Sequence, residues 1–361
     1  MSCFNSFGMT IRVFTLLALL FAFPLFADSL VVASRGGVYN DTLKKTIITP
    51  FYTETDIYIS LRSHNDRLLS ERELTIDHDW DVIEMPETLA ITACEGGVIR
   101  ILEVSNVLKP IGDFSAEQDF APRTIRKCSV AHQYVTTLIA FDEQAFGDRP
   151  PKRIDDFFNV TDFPGKRGLE KKPDTLLEWA LLAQGVPTQQ VYPLLSTERG
   201  IDLALKKLDD IYQHIVWWQD AREARELLLS GEVTMSSGYD SELAPLVKHL
   251  PFSTINDGKL RVPFVWAISS QSVRIQNAKK FITYATLPIP MSKLAKSRFA
   301  HPTRYTAIKT ENKNNRQFRT STEGTRILIQ DSDWFVATKS IRQEKFKKWL
   351  KEKLLTFNDG G

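Results

Sequence analysis

The chain has 361 residues, 43% hydrophobic and 25% charged, with a net charge of +2 at neutral pH. That balance describes an ordinary globule, too weakly basic to grip a nucleic acid and too apolar to be disordered. The length is more than one hydrophobic core usually fills, so two domains are expected.

The first element is a leader. Arg12 precedes an apolar run from Val13 to Phe26, and Ala27 is a small residue before a cut. The run is shorter than the ~20 residues a membrane-spanning helix needs, so 1–27 reads as a cleavable signal peptide and the product as periplasmic. Of the three cysteines, Cys3 leaves with the leader. Cys94 and Cys128 remain, and an even pair in an exported chain reads as a disulfide.

The mature part alternates strands and helices. Leu30–Ala33 is a short apolar strand running into Arg35 and two glycines, with Asn40 as the expected cap of the next helix. Ile57, Ile59 and Leu61 alternate as a second strand, and Trp80–Met85 is a third. Thr88–Cys94 reads as a helix closed by Gly96-Gly97, and Val135–Phe141 as a β-branched strand. A second α/β unit follows: a strand after Pro164-Gly165, a helix over Leu176–Gln184, a helical stripe at Ile201, Leu205 and Leu208, the strand "HIVWW", a helix over Ala221–Ser230, and a strand over Val233–Ser236. "FVWAISS" is one more strand and "NAKKFITYAT" one more helix. The polar stretch 311–325 reads as a loop, and Ile341, Phe346, Trp349 and Leu350 mark a C-terminal helix. This order predicts a mainly parallel sheet with helices on both faces.

No nucleophile elbow, phosphate loop or zinc-protease helix is present, and the six histidines are scattered, so no catalytic residues, metal site or cofactor are expected. The chemistry lies instead at strand ends. Tyr39 follows the first strand, Glu84 and Glu87 lie at and after the end of the third, Trp218 closes "HIVWW" with Asp220 just beyond, Tyr239 and Asp240 follow "VTMSSG", and Trp266 lies in "FVWAISS". Ligands of open α/β sheets bind beyond the carboxyl ends of strands. Carboxylates with aromatic faces there suit a small organic cation.

Several segments carry a family resemblance. "VVASRGGVYNDTLKKTIITPFYTET", "WDVIEMPETLAITACEGGVIRIL", "AFGDRPPKRIDDFFNVTDFPGKRGL", "IVWWQDAREARELLLSGEVTMSSGYDSEL", "AHPTRYTAI" and "DSDWFVATKSIRQEKFKKWL" resemble, in order, the spermidine/putrescine-binding group of extracellular solute-binding proteins of ABC importers. The resemblance implies a type II periplasmic-binding-protein fold, two α/β domains with mixed sheets around a ligand cleft. It implies a monomer working with an inner-membrane permease. Residues 28–137 plus about 262–305 would form one domain, and 138–261 plus about 306–361 the other. Gly36-Gly37 would let the backbone approach the ligand. Ser34, Arg35, Tyr39, Glu84, Glu87, Trp218, Asp220, Tyr239, Asp240 and Trp266 would line the site, taking a polyamine or a similar amine. Two positions depart from the family. Arg35 stands where relatives carry tryptophan, and Phe264 where they carry an acid that grips an amine. A cation beside a helix start favours an anion, so an anionic or zwitterionic solute is the alternative ligand, and an exported enzyme on the same fold the alternative from another class.

Overall fold

A computed structural model describes residues 29–64, 69–76, 78–298, 301–312 and 325–358. The expected leader lies outside these residues, and the polar stretch 311–325 is described only at its ends. None of the described helices is long and apolar enough to cross a membrane.

Among the described residues ten strands form one mixed sheet. They are β1 (Ser29–Ser34), β2 (Tyr58–Ser63), β3 (Val82–Pro86), β4 (Ser129–Asp142), β5 (Arg167–Glu170), β6 (Ile215–Trp218), β7 (Met235–Tyr239), β8 (Phe252–Ile268), β9 (His301–Pro302) and β10 (Ile327–Ile329). The main path runs β2-β1-β3-β8-β4-β7-β5-β6, with β10 on β8 and β9 on β4. The two long strands β4 and β8 are antiparallel partners over most of their length. Near one end they join β3 and β1, and near the other they join β7, β5 and β6. They therefore cross between two α/β lobes, and the fold is that of the periplasmic binding proteins.

Each lobe has its own core. In the first, Leu30, Val32 and Trp266 pack with Leu43, Phe51 and Phe281 on one sheet face. Ala33, Ile83 and Val265 pack with Ala90 and Ala93 on the other. In the second, Leu169 and Met235 pack with the helix Leu176–Ala183 on one face, and Leu138 and Ala140 with Leu228 and Leu243 on the other. The helix expected to start at Asn40 starts earlier, at Gly37, because Gly36 and Gly37 both take positive φ, 81° and 56°, and turn the chain within two residues. The Asn40 side chain accepts from the Gly36 N–H and donates to Ser63 Oγ, which ties that turn to β2. The close approach at Gly36 is to Ser63: a Cβ at Gly36 would lie 2.9 Å from that of Ser63. The helix widens to a π turn over Lys44–Ile48 just before Pro50, whose missing N–H breaks the regular ladder. Cys94 and Cys128 are disulfide-bonded, with Cα atoms 5.8 Å apart, joining the helix Glu87–Glu95 to the start of β4.

Candidate functional site

β1 and β3 point their carboxyl ends toward the second lobe, and β5, β6 and β7 point theirs toward the first. One wall is organised around Glu84, which is fully buried in the middle of β3. Four hydrogen bonds reach its carboxylate: Ser34 Oγ at 2.7 Å, Tyr39 OH at 2.5 Å, His132 Nε2 at 3.0 Å and Gln133 Nε2 at 3.1 Å. Arg35 adds an ion pair at 3.6 Å. Burial alone would raise the Glu84 pKa, yet the charge of Arg35 and the bonds from His132 and Tyr39 hold it well below the usual carboxylate range. Glu84 is thus ionised, and His132 must carry its proton on Nε2. Burial keeps His132 itself neutral by lowering its pKa. A bulge explains how two adjacent residues of β4 serve one carboxylate. The register with β8 slips between Ala131 and Gln133, which brings His132 and Gln133 to the same side.

This carboxylate positions Arg35. The guanidinium lies 3.9 Å over the Tyr39 ring and 4.7 Å from the Phe264 ring, with 13% of its side chain exposed. The departure at Phe264 therefore supports the departure at Arg35: an apolar ring there leaves room and a π face for the cation. Glu87, at the start of its helix, is not directed at Arg35. Its carboxylate receives Arg126 at 3.2 Å, and Arg126 also reaches Asp333, near the C-terminal end of the chain.

The facing wall carries residues that strand-end reasoning missed. Lys172, two residues beyond β5, contacts Glu170 at 2.7 Å and donates to Tyr239 OH at 3.2 Å. About a third of the Lys172 side chain stays exposed. The signal was available, since "LEKK" puts charge directly after a strand end, but a polar run before a helix reads equally well as a solvated turn. Thr175 follows, at the cap of the next helix, with φ 72°. A β-branched residue in that region is strained, and such strain concentrates at functional sites. Asp240 is buried beside the crossing strands, accepting from the backbone N–H groups of Ser241 and Thr136. Burial pushes its pKa up to about 7 against the opposing pull of Arg35, those two N–H groups and Lys259.

The crossing strand β8 adds two more cations. Lys259 donates to Asn256 Oδ1, and Arg261 Nε has no hydrogen-bond partner among the described residues. Burial together with Arg261 and Lys259 pushes the His301 imidazole down to about 3. The field at this level of the cleft is positive.

Three of the expected residues lie apart from these contacts. Trp266 has no exposed surface and stacks on His132 at 4.6 Å inside the first lobe. Trp218 is buried at the end of β6, with Nε1 unpartnered among the described residues. Asp220 caps the helix Ala221–Leu229 in a capping box with Glu223. Among the described residues no group of His, Cys, Asp and Glu is arranged to hold a metal.

The chain is 29% identical over 266 residues to the gamma-aminobutyric acid-binding protein of Pseudomonas aeruginosa, covering 73% of each. Its fold matches the PBP MotA of A. tumefaciens in complex with glucopine, with a TM-score of 0.76 at 22% identity, over 89% of this chain and 99% of that one. It also matches the spermidine/putrescine ABC transporter substrate-binding protein PotD of Streptococcus pneumoniae, at TM-score 0.68 and 13% identity, over 89% and 99%. The sequence pattern of one family spans residues 47–320. The chain belongs to that family, the bacterial extracellular solute-binding proteins.

Proposed function

We propose that the protein is the periplasmic solute-binding component of an ABC importer and that its ligand is a small zwitterionic or anionic solute, of which γ-aminobutyrate is the test case. The observation that carries this reading is the charge at the cleft. Arg35, Lys172, Lys259 and Arg261 lie on or between its walls, while Glu84 and Glu87 are already engaged by Arg35 and Arg126. A polyamine needs carboxylates that are open to it, and of the acids expected to serve it only Asp240 lacks an ion pair within 4 Å among the described residues. A zwitterion suits the same pocket, with its carboxylate toward Arg35 and its ammonium toward Asp240. The relative that binds gamma-aminobutyric acid supports this choice, and the polyamine reading drawn from the segment resemblance is matched by a structural neighbour of much lower identity.

Closure follows from the same architecture. We assign the lobes to 28–137 plus about 262–305 and to 138–261 plus about 306–361. The register shift between Thr137 and Ile139 in β4, next to the first boundary, supports a bend there.

The test compares γ-aminobutyrate with putrescine by calorimetry. The two have the same carbon count and differ in whether one end is a carboxylate or an amine. γ-Aminobutyrate should bind at least about tenfold more tightly, ~1.4 kcal/mol. Tighter putrescine binding would reverse the assignment.

A further inference from the structure

Two cations on the crossing strand lack an acid of their own. Lys259 and Arg261 stand two positions apart on β8, so their side chains share a face, and both keep part of their surface open. Neither forms an ion pair among the described residues, and the Lys259 ammonium meets a neutral group, Asn256 Oδ1. Arg35 and Lys172, by contrast, hold Glu84 and Glu170. Burial lowers the pKa of Lys259 and of Arg261, and the charge of Arg261 lowers that of Lys259 further. A desolvated cation without a countercharge is costly, and here two repel each other.

Asp240 is the acid they share. Arg35 and Lys259 both act on its carboxylate, and it acts on Arg261. The cations Arg35, Lys172, Lys259 and Arg261 thus face the acids Glu84, Glu170 and Asp240, which leaves positive charge over even when Asp240 is ionised. There is also room for an anionic group. Tyr134 pairs with Pro263 and Thr136 with Arg261 in unbroken register, and Ile329 of β10 pairs with Arg261. Tyr134, Pro263 and Ile329 line an interlobe cavity of about 420 Å³, so this cavity lies on the face from which Arg261 projects. Its volume is in the range of small-molecule pockets, ~300–1,000 Å³.

Resting on the zwitterion reading above, we propose that the ligand is an α-amino acid with a second, side-chain carboxylate, and so carries a net negative charge. Its distal carboxylate goes to Arg35 and its ammonium to Asp240, as for γ-aminobutyrate. The added carboxylate sits on the carbon that bears the ammonium, and the cations grouped with Asp240 on the crossing strand are Lys259 and Arg261. Charge-assisted hydrogen bonds from both then replace the countercharge they lack.

Calorimetry on the mature chain compares γ-aminobutyrate with L-aspartate, L-glutamate and L-2-aminoadipate, which differ in the spacing of their carboxylates. L-Glutamate is γ-aminobutyrate with a carboxylate added at the amine carbon. At least one of these amino dicarboxylates should bind about tenfold more tightly than γ-aminobutyrate. Lys259→Gln and Arg261→Gln, made singly, should each weaken that binding at least about fivefold and leave γ-aminobutyrate within about twofold. The retained γ-aminobutyrate affinity and circular dichroism show that the variants fold. If γ-aminobutyrate binds and no amino dicarboxylate binds more tightly, the proposal fails and the zwitterion reading stands. The proposal fails equally if neither substitution lowers the dicarboxylate affinity selectively. Binding of putrescine in preference to all of these compounds overturns the zwitterion reading itself.

Discussion

At the scale of single residues, the Glu84–Arg35 pair decides what the cleft admits. Arg35 presents a cation whose countercharge is buried behind it. Substituting Arg35→Trp removes the cation and leaves the Glu84 carboxylate facing the cleft with only neutral donors. Putrescine affinity should then rise at least about tenfold while that for γ-aminobutyrate falls, because a cation–cation contact near 4 Å costs ~4 kcal/mol at an effective dielectric near 20. Equal affinities before and after would show that Arg35 does not meet the ligand. Asp240 gives a pH signature. Its folded pKa, about 7, lies above the unfolded value. Between the two values the folded state holds a proton that the unfolded state has released, so this group's contribution to stability falls as pH rises from about 4 to about 7, by at most ~1.4 kcal/mol per pH unit. Asp240→Asn should therefore gain on the wild type across that window and hold a constant margin above it, as denaturant melts at several pH values would show. A margin that does not change with pH would place the Asp240 pKa at its ordinary value. Residue types at strand ends were legible in the sequence, Tyr39, Glu84 and Asp240 among them, and the structure brings Tyr39 and Glu84 together around Arg35. What each is bonded to was not legible. Glu84 reads as a ligand acid until His132 and Gln133, some 50 positions away, are seen to fill it.

At the scale of elements, the turn from β1 into its helix sets where Arg35 stands. Gly36 combines a φ of 81° with the contact at Ser63, so any side chain there meets both strain and β2. Gly36→Ala should cost ~1–3 kcal/mol and weaken ligand binding as well, since the strain acts on the residue adjoining Arg35. Thermal melts and calorimetry together check this; a stability loss with unchanged affinity would mean that the turn does not position the arginine. Short apolar strands such as β1, β3 and β6 were readable from periodicity. β4 and β8 were each read at about half their length or less. Their hidden parts carry residues such as His132, Gln133, Asn256, Asp257 and Lys259, which match no apolar alternation because the strands there pass between lobes. The pattern that marks a strand is burial on a core face, and a crossing segment has no single core to face.

At the scale of the whole molecule, the C-terminal segment ties the lobes together. Arg123 and Arg126 of the first lobe bind Asp331 and Asp333, and Glu87 completes the network. Individual exposed pairs contribute little, ~0–1 kcal/mol, but this network spans the two lobes and so acts on their relative position. The double variant Arg123→Ala, Arg126→Ala should shift the unliganded protein toward a larger radius of gyration in small-angle scattering, with saturating γ-aminobutyrate restoring the compact form. An unchanged unliganded radius would show that closure does not depend on these pairs.

The crossing of β4 and β8 has a further consequence, for the order in which the chain can acquire structure. β3 reaches β4 only through β8, whose residues 264–268 lie between them, and β8 also completes the other lobe by pairing with β4 near Phe252 and Thr254. A nascent chain that ends before Phe252 therefore has β4, β7, β5 and β6 of the second lobe but lacks the strand that joins β3 to β4 in the first. The first lobe cannot complete its sheet as its sequence emerges, and contacts so distant along the chain make folding slow. On the export route proposed above, late pairing of β8 leaves the first lobe's sheet open until the last third of the chain has been made.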